Sequence, residues 1–163
     1  NLSLGGNTAG KTLENAMQYA YNSNVLVLAA MGNNGTNAKI YPAAYKNVVA
    51  VAATDAKNKV APFSNYGEWV SVAAPGLKIY STFPTYKVEL SRYNISPNYG
   101  ILSGTSMATP YVSAMAALIL SKNPSLSRAE LRKKIEQSTN DIDVKGFDQF
   151  SGTGLIDASK AVK

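Results

Sequence analysis

The sequence predicts an α/β fold built on a mostly parallel sheet, and three observations carry this prediction. Residues 25–30 and 48–53 are continuous apolar runs, the pattern of strands buried on both faces of a parallel sheet. Residues 70–74 form a similar run that stops at Pro75 and Gly76. Apolar residues at positions 13, 16, 17 and 20 repeat with the helical period, which predicts an amphipathic helix over residues 13–21.

The second half of the chain adds helices to this sheet. Residues 107–122 are small or apolar on nearly every face, which predicts a central buried helix with Pro110 in its first turn. Ser127 and Glu130 have the spacing of a capping box for a helix that runs to about residue 138. Asp157 can cap a short helix over residues 158–162. The turn-rich, aromatic stretch 80–104 predicts surface loops and a hairpin.

Composition excludes several kinds of function. The 163 residues contain no cysteine and no histidine, which excludes disulfides, thiol nucleophiles and histidine bases within this chain. The net charge of +6 comes from scattered residues, with one tight cluster at Arg128, Arg132, Lys133 and Lys134, so we predict no nucleic-acid partner. The apolar runs are far shorter than the roughly 20 residues of a membrane span, so we expect no membrane insertion.

The most informative segment is Gly104-Thr105-Ser106-Met107-Ala108-Thr109-Pro110, where a loop gives way to the predicted central helix. A serine in the first turn of a helix lies beside unpaired backbone N–H groups, and the helix dipole favours negative charge developing there. That is a favourable place for a nucleophile. A Ser or Thr before a helix is, however, more often only an N-cap, and the spacing alone leaves both interpretations open.

The residues of this segment match, without substitution, the G-T-S-M-A-[ST]-P signature of the subtilisin-like serine proteases. Residues 29–35 resemble the family segment whose asparagine completes the oxyanion hole. Residues 63–67, 74–76 and 152–158 also follow the family order, so the resemblance covers essentially the whole chain. It implies a three-layer α/β subtilisin-like fold with a mostly parallel sheet, of which residues 1–163 would form the C-terminal part of a single catalytic domain.

The resemblance assigns roles by position. Ser106 would be the nucleophile, and Asn33 would share the oxyanion hole with the Ser106 backbone N–H. Ser3-Leu4-Gly5 and Ala30-Met31-Gly32 would form two walls of the substrate cleft. Ile40 would lie near the floor of the specificity pocket and favour small or medium apolar side chains, and Thr105 would also border the substrate. Backbone carbonyls of Ala43, Tyr45 and Val48 resemble a weak cation site, so the family implies that structural calcium is allowed although no cofactor is required.

The family mechanism also needs an aspartate and a histidine that precede the nucleophile and lie upstream of Asn1. Since no histidine is present, we expect little turnover from an isolated copy. The chain also begins without an initiator Met, so we expect an upstream segment. The resemblance implies four further things: a polypeptide substrate, a partner segment carrying Asp and His, a pro-segment in the precursor, and secretion.

Two other functions remain as alternatives. Residues 5–12 match the G-x-x-x-x-G-K-[ST] pattern of a phosphate-binding P-loop between a predicted strand and helix, and Asp55 follows an apolar run as a magnesium ligand would. This pattern leaves residues 104–110 and Asn33 unexplained, so we place it below the protease interpretation. A non-catalytic pseudoprotease would fit the missing histidine but would not explain the intact nucleophile motif.

Overall fold

The computed structural model describes residues 1–89, 91 and 97–163. Its elements, in chain order, are α1 (Lys11–Asn22), β1 (Val27–Ala30), β2 (Val48–Thr54), β3 (Val70–Pro75), β4 (Ile79–Thr82), β5 (Tyr99–Leu102), α2 (Thr105–Lys122), α3 (Arg128–Gln137), β6 (Thr139–Asn140), β7 (Leu155–Ile156) and α4 (Ala158–Ala161). The middle of the predicted surface loop between Pro84 and Pro97 lies outside the described residues.

A five-stranded sheet with the order β1-β2-β3-β7-β6 forms the centre of the fold. Strands β1, β2, β3 and β7 are parallel, and β6 runs antiparallel to β7. The predicted mostly parallel sheet is therefore confirmed. Residues 1–4 add a single parallel bridge, between Leu2 and Ala29, beside β1.

Strand β2 shows why this sheet is central, because all seven of its residues are buried. Val49, Val51 and Ala53 face a core shared with α2, α3 and α4, whereas Val48, Ala50 and Ala52 face a second core that includes Met17 of α1. Successive side chains of a strand point to opposite faces, so one apolar run fills both cores. The sheet thus lies between helices on either side, in three layers.

Helix α2 differs from its prediction in two respects. Its sheet-facing side is buried, but the opposite side leaves Tyr111 44% and Leu118 48% exposed, so it is not buried on every face. The helix also begins at Thr105, two residues earlier than predicted, which places Pro110 in the second turn. There its missing N–H deprives the Ser106 carbonyl of its i+4 donor.

The remaining helix predictions are confirmed. The capping box of α3 forms, with the Ser127 hydroxyl accepting from the Glu130 N–H and the Glu130 carboxylate accepting from the Ser127 N–H. Asp157 accepts from the N–H groups of Ser159 and Lys160 at the start of α4. The predicted hairpin is present as the antiparallel pair β4–β5. No helix among the described residues is long and apolar enough to cross a membrane.

Candidate active site

Ser106 lies at the second position of α2, directly after the glycine that begins the helix. Gly104 has φ +156° and ψ 160°, a conformation that residues with a side chain strongly disfavour, and as a glycine it offers no side-chain cap of its own. Thr105, Met107 and Ala108 donate their N–H groups to acceptors on Asn33 and Gly104. The Ser106 N–H has no acceptor among the residues that the structure describes. This leaves a donor open beside the serine hydroxyl, as an oxyanion site requires.

Asn33 is held against this helix start by its side-chain oxygen. Its Oδ1 accepts from the Thr105 N–H at 2.8 Å and from the Thr105 hydroxyl at 3.0 Å. Two donors on one oxygen fix the orientation of the amide, so the other end, Nδ2, is the donor left over. Nδ2 lies close to Gly104, where an added Cβ would approach it to 3.3 Å. The structure therefore brings Asn33 and Ser106 together, although 72 residues separate Asn33 from Thr105.

Thr105 is fully buried and acts as the link between these groups. Besides its contacts with Asn33, its hydroxyl oxygen accepts from the Gly32 N–H at 3.2 Å. Its buried side chain supports the Asn33 amide, and the expectation that Thr105 also borders the substrate stays a prediction.

The serine hydroxyl has a partner on a third segment. Ser106 Oγ donates to the Ser3 carbonyl at 3.2 Å, and the Ser3 hydroxyl donates to the Ser106 carbonyl at 2.8 Å. The Ser106 hydroxyl hence points to a carbonyl rather than to a base, which agrees with the absence of histidine from the chain.

The two predicted cleft walls lie on either side of Ile40. A Cβ added to Gly5 or to Gly32 would collide with the Ile40 side chain, which is itself buried. Ala30 and Met31 bury their side chains, so only their backbone can face a bound chain, whereas Leu4 is 58% exposed. Ile40 thus fills the space between the walls near their base.

A groove of about 530 Å³ beside Ser106 was not predicted from the sequence. Met107 and Pro110 of α2 form one side of it, and Tyr80, Phe83 and Leu102 of the β4–β5 hairpin region form the other. The aromatic character of residues 80–104 was the available signal, but the pairing that brings them beside Ser106 is long-range.

Two of the three predicted cation ligands already have hydrogen-bond donors from within the chain. The Val48 carbonyl accepts from Arg132 Nη1 at 3.3 Å, and the Tyr45 carbonyl accepts from the Val48 N–H at 3.1 Å. Arg132 Nη2 donates to Ser71 Oγ at 3.2 Å. A guanidinium thus already lies against one of the three carbonyls, and cation binding by Ala43, Tyr45 and Val48 stays a prediction. No cluster of three acidic residues occurs in the described part of the chain.

The P-loop-like segment makes contacts that differ from phosphate binding. The Gly10 N–H and carbonyl both bond to the Tyr45 hydroxyl, at 3.1 and 3.0 Å. Lys11 Nζ forms an ion pair with Glu14 at 3.0 Å. Two of the donors that would hold a phosphate, the Gly10 N–H and Lys11 Nζ, are therefore engaged by the protein itself.

The basic cluster on α3 is likewise partly engaged within the fold. Arg128 lies 3.8 Å from the centre of the Tyr21 ring, and Arg132 is paired with Glu136 at 2.8 Å. Two of the four cluster residues thus make contacts within the fold, and the absence of a nucleic-acid partner stays a prediction.

Fold and site together define an α/β protein with a serine at the start of a buried helix, an amide donor beside it and a cleft leading to it. A sequence model described as the Subtilase family matches residues 1–154. The chain belongs to this family.

Individual relatives agree with this placement. The chain is similar to Subtilisin Savinase of Lederbergia lenta, at 40% identity over 163 residues, and to thermitase of Thermoactinomyces vulgaris, at 43% over 162 residues. The matches cover 100% and 99% of this chain but only 55% and 53% of those relatives. Among solved structures, a lanthipeptide protease superposes with a TM-score of 0.88 at 27% identity, covering 99% of this chain and 60% of that one. The predicted subtilisin-like fold is thus confirmed, and the chain spans about half the length of the curated relatives it matches.

Proposed function

We propose that the chain provides the nucleophile and oxyanion hole of a serine endopeptidase. The observation that carries this proposal is the hydrogen-bonded connection from Asn33 through the buried Thr105 to the open N–H of Ser106. In the proposed reaction, Ser106 Oγ attacks the scissile carbonyl carbon and forms an acyl-enzyme while the amine leaves. The Ser106 N–H and Asn33 Nδ2 donate to the oxyanion that forms in this step.

The base and its orienting carboxylate come, in this proposal, from the N-terminal part of the same catalytic domain. Two observations support this partner. The matched relatives are nearly twice as long as this chain, and their unmatched length is enough to supply a histidine and an aspartate. One side of α2 is apolar and exposed next to the Ser106 groove, and it includes Tyr111, Ala114 and Leu118. An exposed apolar surface of this kind is expected where another segment of the protein packs.

Helix α1 extends this argument, because none of its residues is buried by the chain itself. We expect residues 1–163 alone to aggregate or fold incompletely, since these apolar surfaces need cover. A monodisperse isolated chain with a cooperative unfolding transition would contradict this expectation. Family resemblance further supports secretion and a pro-segment in the precursor.

Ile40 supports a proposal about the substrate. Its side chain fills the base of the cleft between Gly5 and Gly32, so a small or medium apolar side chain of a polypeptide substrate fits there better than a large one. Replacement of Ile40 by Gly is expected to shift cleavage towards larger side chains, measured with a peptide library against the wild-type enzyme.

The deciding experiment is labelling of the protein, as isolated from its natural source, with a fluorophosphonate probe and intact mass analysis of every polypeptide. Labelling at Ser106, together with a histidine-bearing segment, supports the proposal, and a recombinant full-length Ser106→Ala protein must lose the label. Absence of labelling despite such a segment would favour the pseudoprotease alternative. Absence of both would overturn catalysis by this chain and make Mg-ATP binding at Lys11 the next test.

A further inference from the structure

We propose that the Ser3 hydroxyl is a positioning group for the nucleophile, acting as the missing hydrogen-bond donor of α2. This inference rests on the proposed function. It starts from Pro110, which lies four residues after Ser106 inside the helix. In a regular helix the N–H of residue 110 would donate to the Ser106 carbonyl, but proline has no N–H. The backbone of the nucleophile therefore lacks the bond that normally fixes it.

Ser3 supplies a donor at that carbonyl. Its Oγ lies 2.8 Å from the Ser106 carbonyl oxygen, although 103 residues separate the two in sequence. Both residues are only half exposed, so water competes less for this bond than at an open surface. The bond fixes the Ser106 peptide plane, which in turn fixes the direction of the Cα–Cβ bond that carries the nucleophilic oxygen.

The direction of the Ser3 hydroxyl is itself set by Asn1. Asn1 Nδ2 donates to Ser3 Oγ at 3.0 Å, and Asn1 Oδ1 accepts from the Ser113 hydroxyl of α2 at 3.0 Å. A serine hydroxyl has one hydrogen to donate, and with Asn1 acting as donor that hydrogen is directed to Ser106. This series of hydrogen bonds begins at Ser113 of α2 and ends at Ser106 of the same helix.

This arrangement also ties the substrate cleft to the nucleophile. Ser3 belongs to one predicted cleft wall, and its carbonyl accepts from Ser106 Oγ at 3.2 Å. The two serines thus exchange a pair of hydrogen bonds. Loss of the Ser3 hydroxyl would leave the wall backbone in place and free the Ser106 carbonyl, so the effect should fall on kcat more than on KM.

The test is a double-mutant cycle in the full-length protein with a chromogenic peptide substrate. Ser3→Ala is expected to lower kcat about tenfold with KM within about threefold of wild type. Ser3→Thr retains a hydroxyl and should restore most of the rate. Pro110→Ala restores an N–H at residue 110, so the double variant Ser3→Ala/Pro110→Ala should recover much of what Ser3→Ala alone loses. Ser121→Ala, near the other end of α2, is the matched control and should behave as wild type.

The outcomes separate this inference from the proposed function. Wild-type protein that neither takes up the fluorophosphonate nor cleaves peptide would overturn the proposed function and this inference with it. An active wild type with unchanged kcat in Ser3→Ala would overturn the inference alone. So would a loss that Pro110→Ala does not reduce, or a Ser3→Thr variant as slow as Ser3→Ala.

Discussion

Helices α1 and α2 begin in the same way and end up in different environments. Each follows a glycine, neither has a side-chain cap, and each start carries a motif known from enzymes. At α2, the buried Thr105 and the side chain of Asn33 lie against the first turn and leave one N–H open. At α1, no residue is buried, and Tyr45 and Glu14 engage Gly10 and Lys11.

The difference shows that whether a motif at a helix start can be functional depends on the residues that pack against it. The start of any helix offers N–H donors and a favourable dipole. Only at α2 does a second segment, from the loop after β1, bring a fixed amide to the same point. Substitutions at each helix start therefore test whether the effects on activity and stability are confined to α2.

The largest expected effect is at Asn33. Asn33→Ala in the full-length protein should lower kcat about 10²–10³-fold, because one oxyanion donor is lost; this magnitude was measured for the corresponding donor of subtilisin itself. The neighbouring Asn34→Ala is the control, since Asn34 contributes only its backbone N–H to the Asn65 side chain. Steady-state kinetics on a peptide substrate gives both values. Equal rates for Asn33→Ala and wild type would remove Asn33 from the oxyanion hole.

The second prediction compares the two glycines directly. Gly104→Ala places a Cβ in a disfavoured backbone conformation, 3.3 Å from Asn33 Nδ2, and should cost about 1–3 kcal/mol of stability. Gly10→Ala meets nothing within 4 Å and has φ −107°, so it should cost no more than about 0.5 kcal/mol. Chemical denaturation of both full-length variants measures the difference. If the two alanines cost the same, the α2 start is no more constrained than the α1 start.

Much of this organisation was predictable from the sequence, and the reason is local. Apolar runs at residues 48–53 and 70–74 identify buried strands because both faces of a parallel sheet are covered. Ser127 and Glu130 predict their own cap because its atoms are three residues apart. Ser106 and Asn33 were found through family resemblance, since spacing alone could not separate a nucleophile from an N-cap.

What the sequence did not predict depends on distant contacts. The role of Thr105 depends on Asn33, 72 residues away, and the bond from Ser3 to the Ser106 carbonyl spans 103 residues. The bond from Arg132 to the Val48 carbonyl spans 84 residues. In each case a polar group bonds to a partner on another segment, and the local sequence does not identify that partner.

The start of α4, which is capped by the Asp157 carboxylate, is expected to respond to pH. Hydrogen bonds from Ser159 and then Asn140 lower the pKa of Asp157 to about 2. Because the folded-state pKa lies below the unfolded value, the stabilisation is present above about pH 3.8 and is lost as pH falls towards about 2. Asp157→Asn should therefore lose less Tm than wild type between about pH 5 and about pH 2.5. Asp143→Asn, at an exposed position outside the helices, is the control, and an equal response from both variants would contradict the assignment.

The smallest effect is expected at Lys11, and it tests the α1 side of the comparison. Its ion pair with Glu14 is largely exposed, and such pairs contribute about 0–1 kcal/mol. Lys11→Ala should leave peptide hydrolysis unchanged, and Mg-ATP should not raise the Tm of wild-type protein. A nucleotide-dependent rise in Tm that disappears in Lys11→Ala would mean that the α1 start binds phosphate despite the contacts of Tyr45 and Glu14. Both helix starts would then be functional, and the packing beneath α2 would no longer distinguish them.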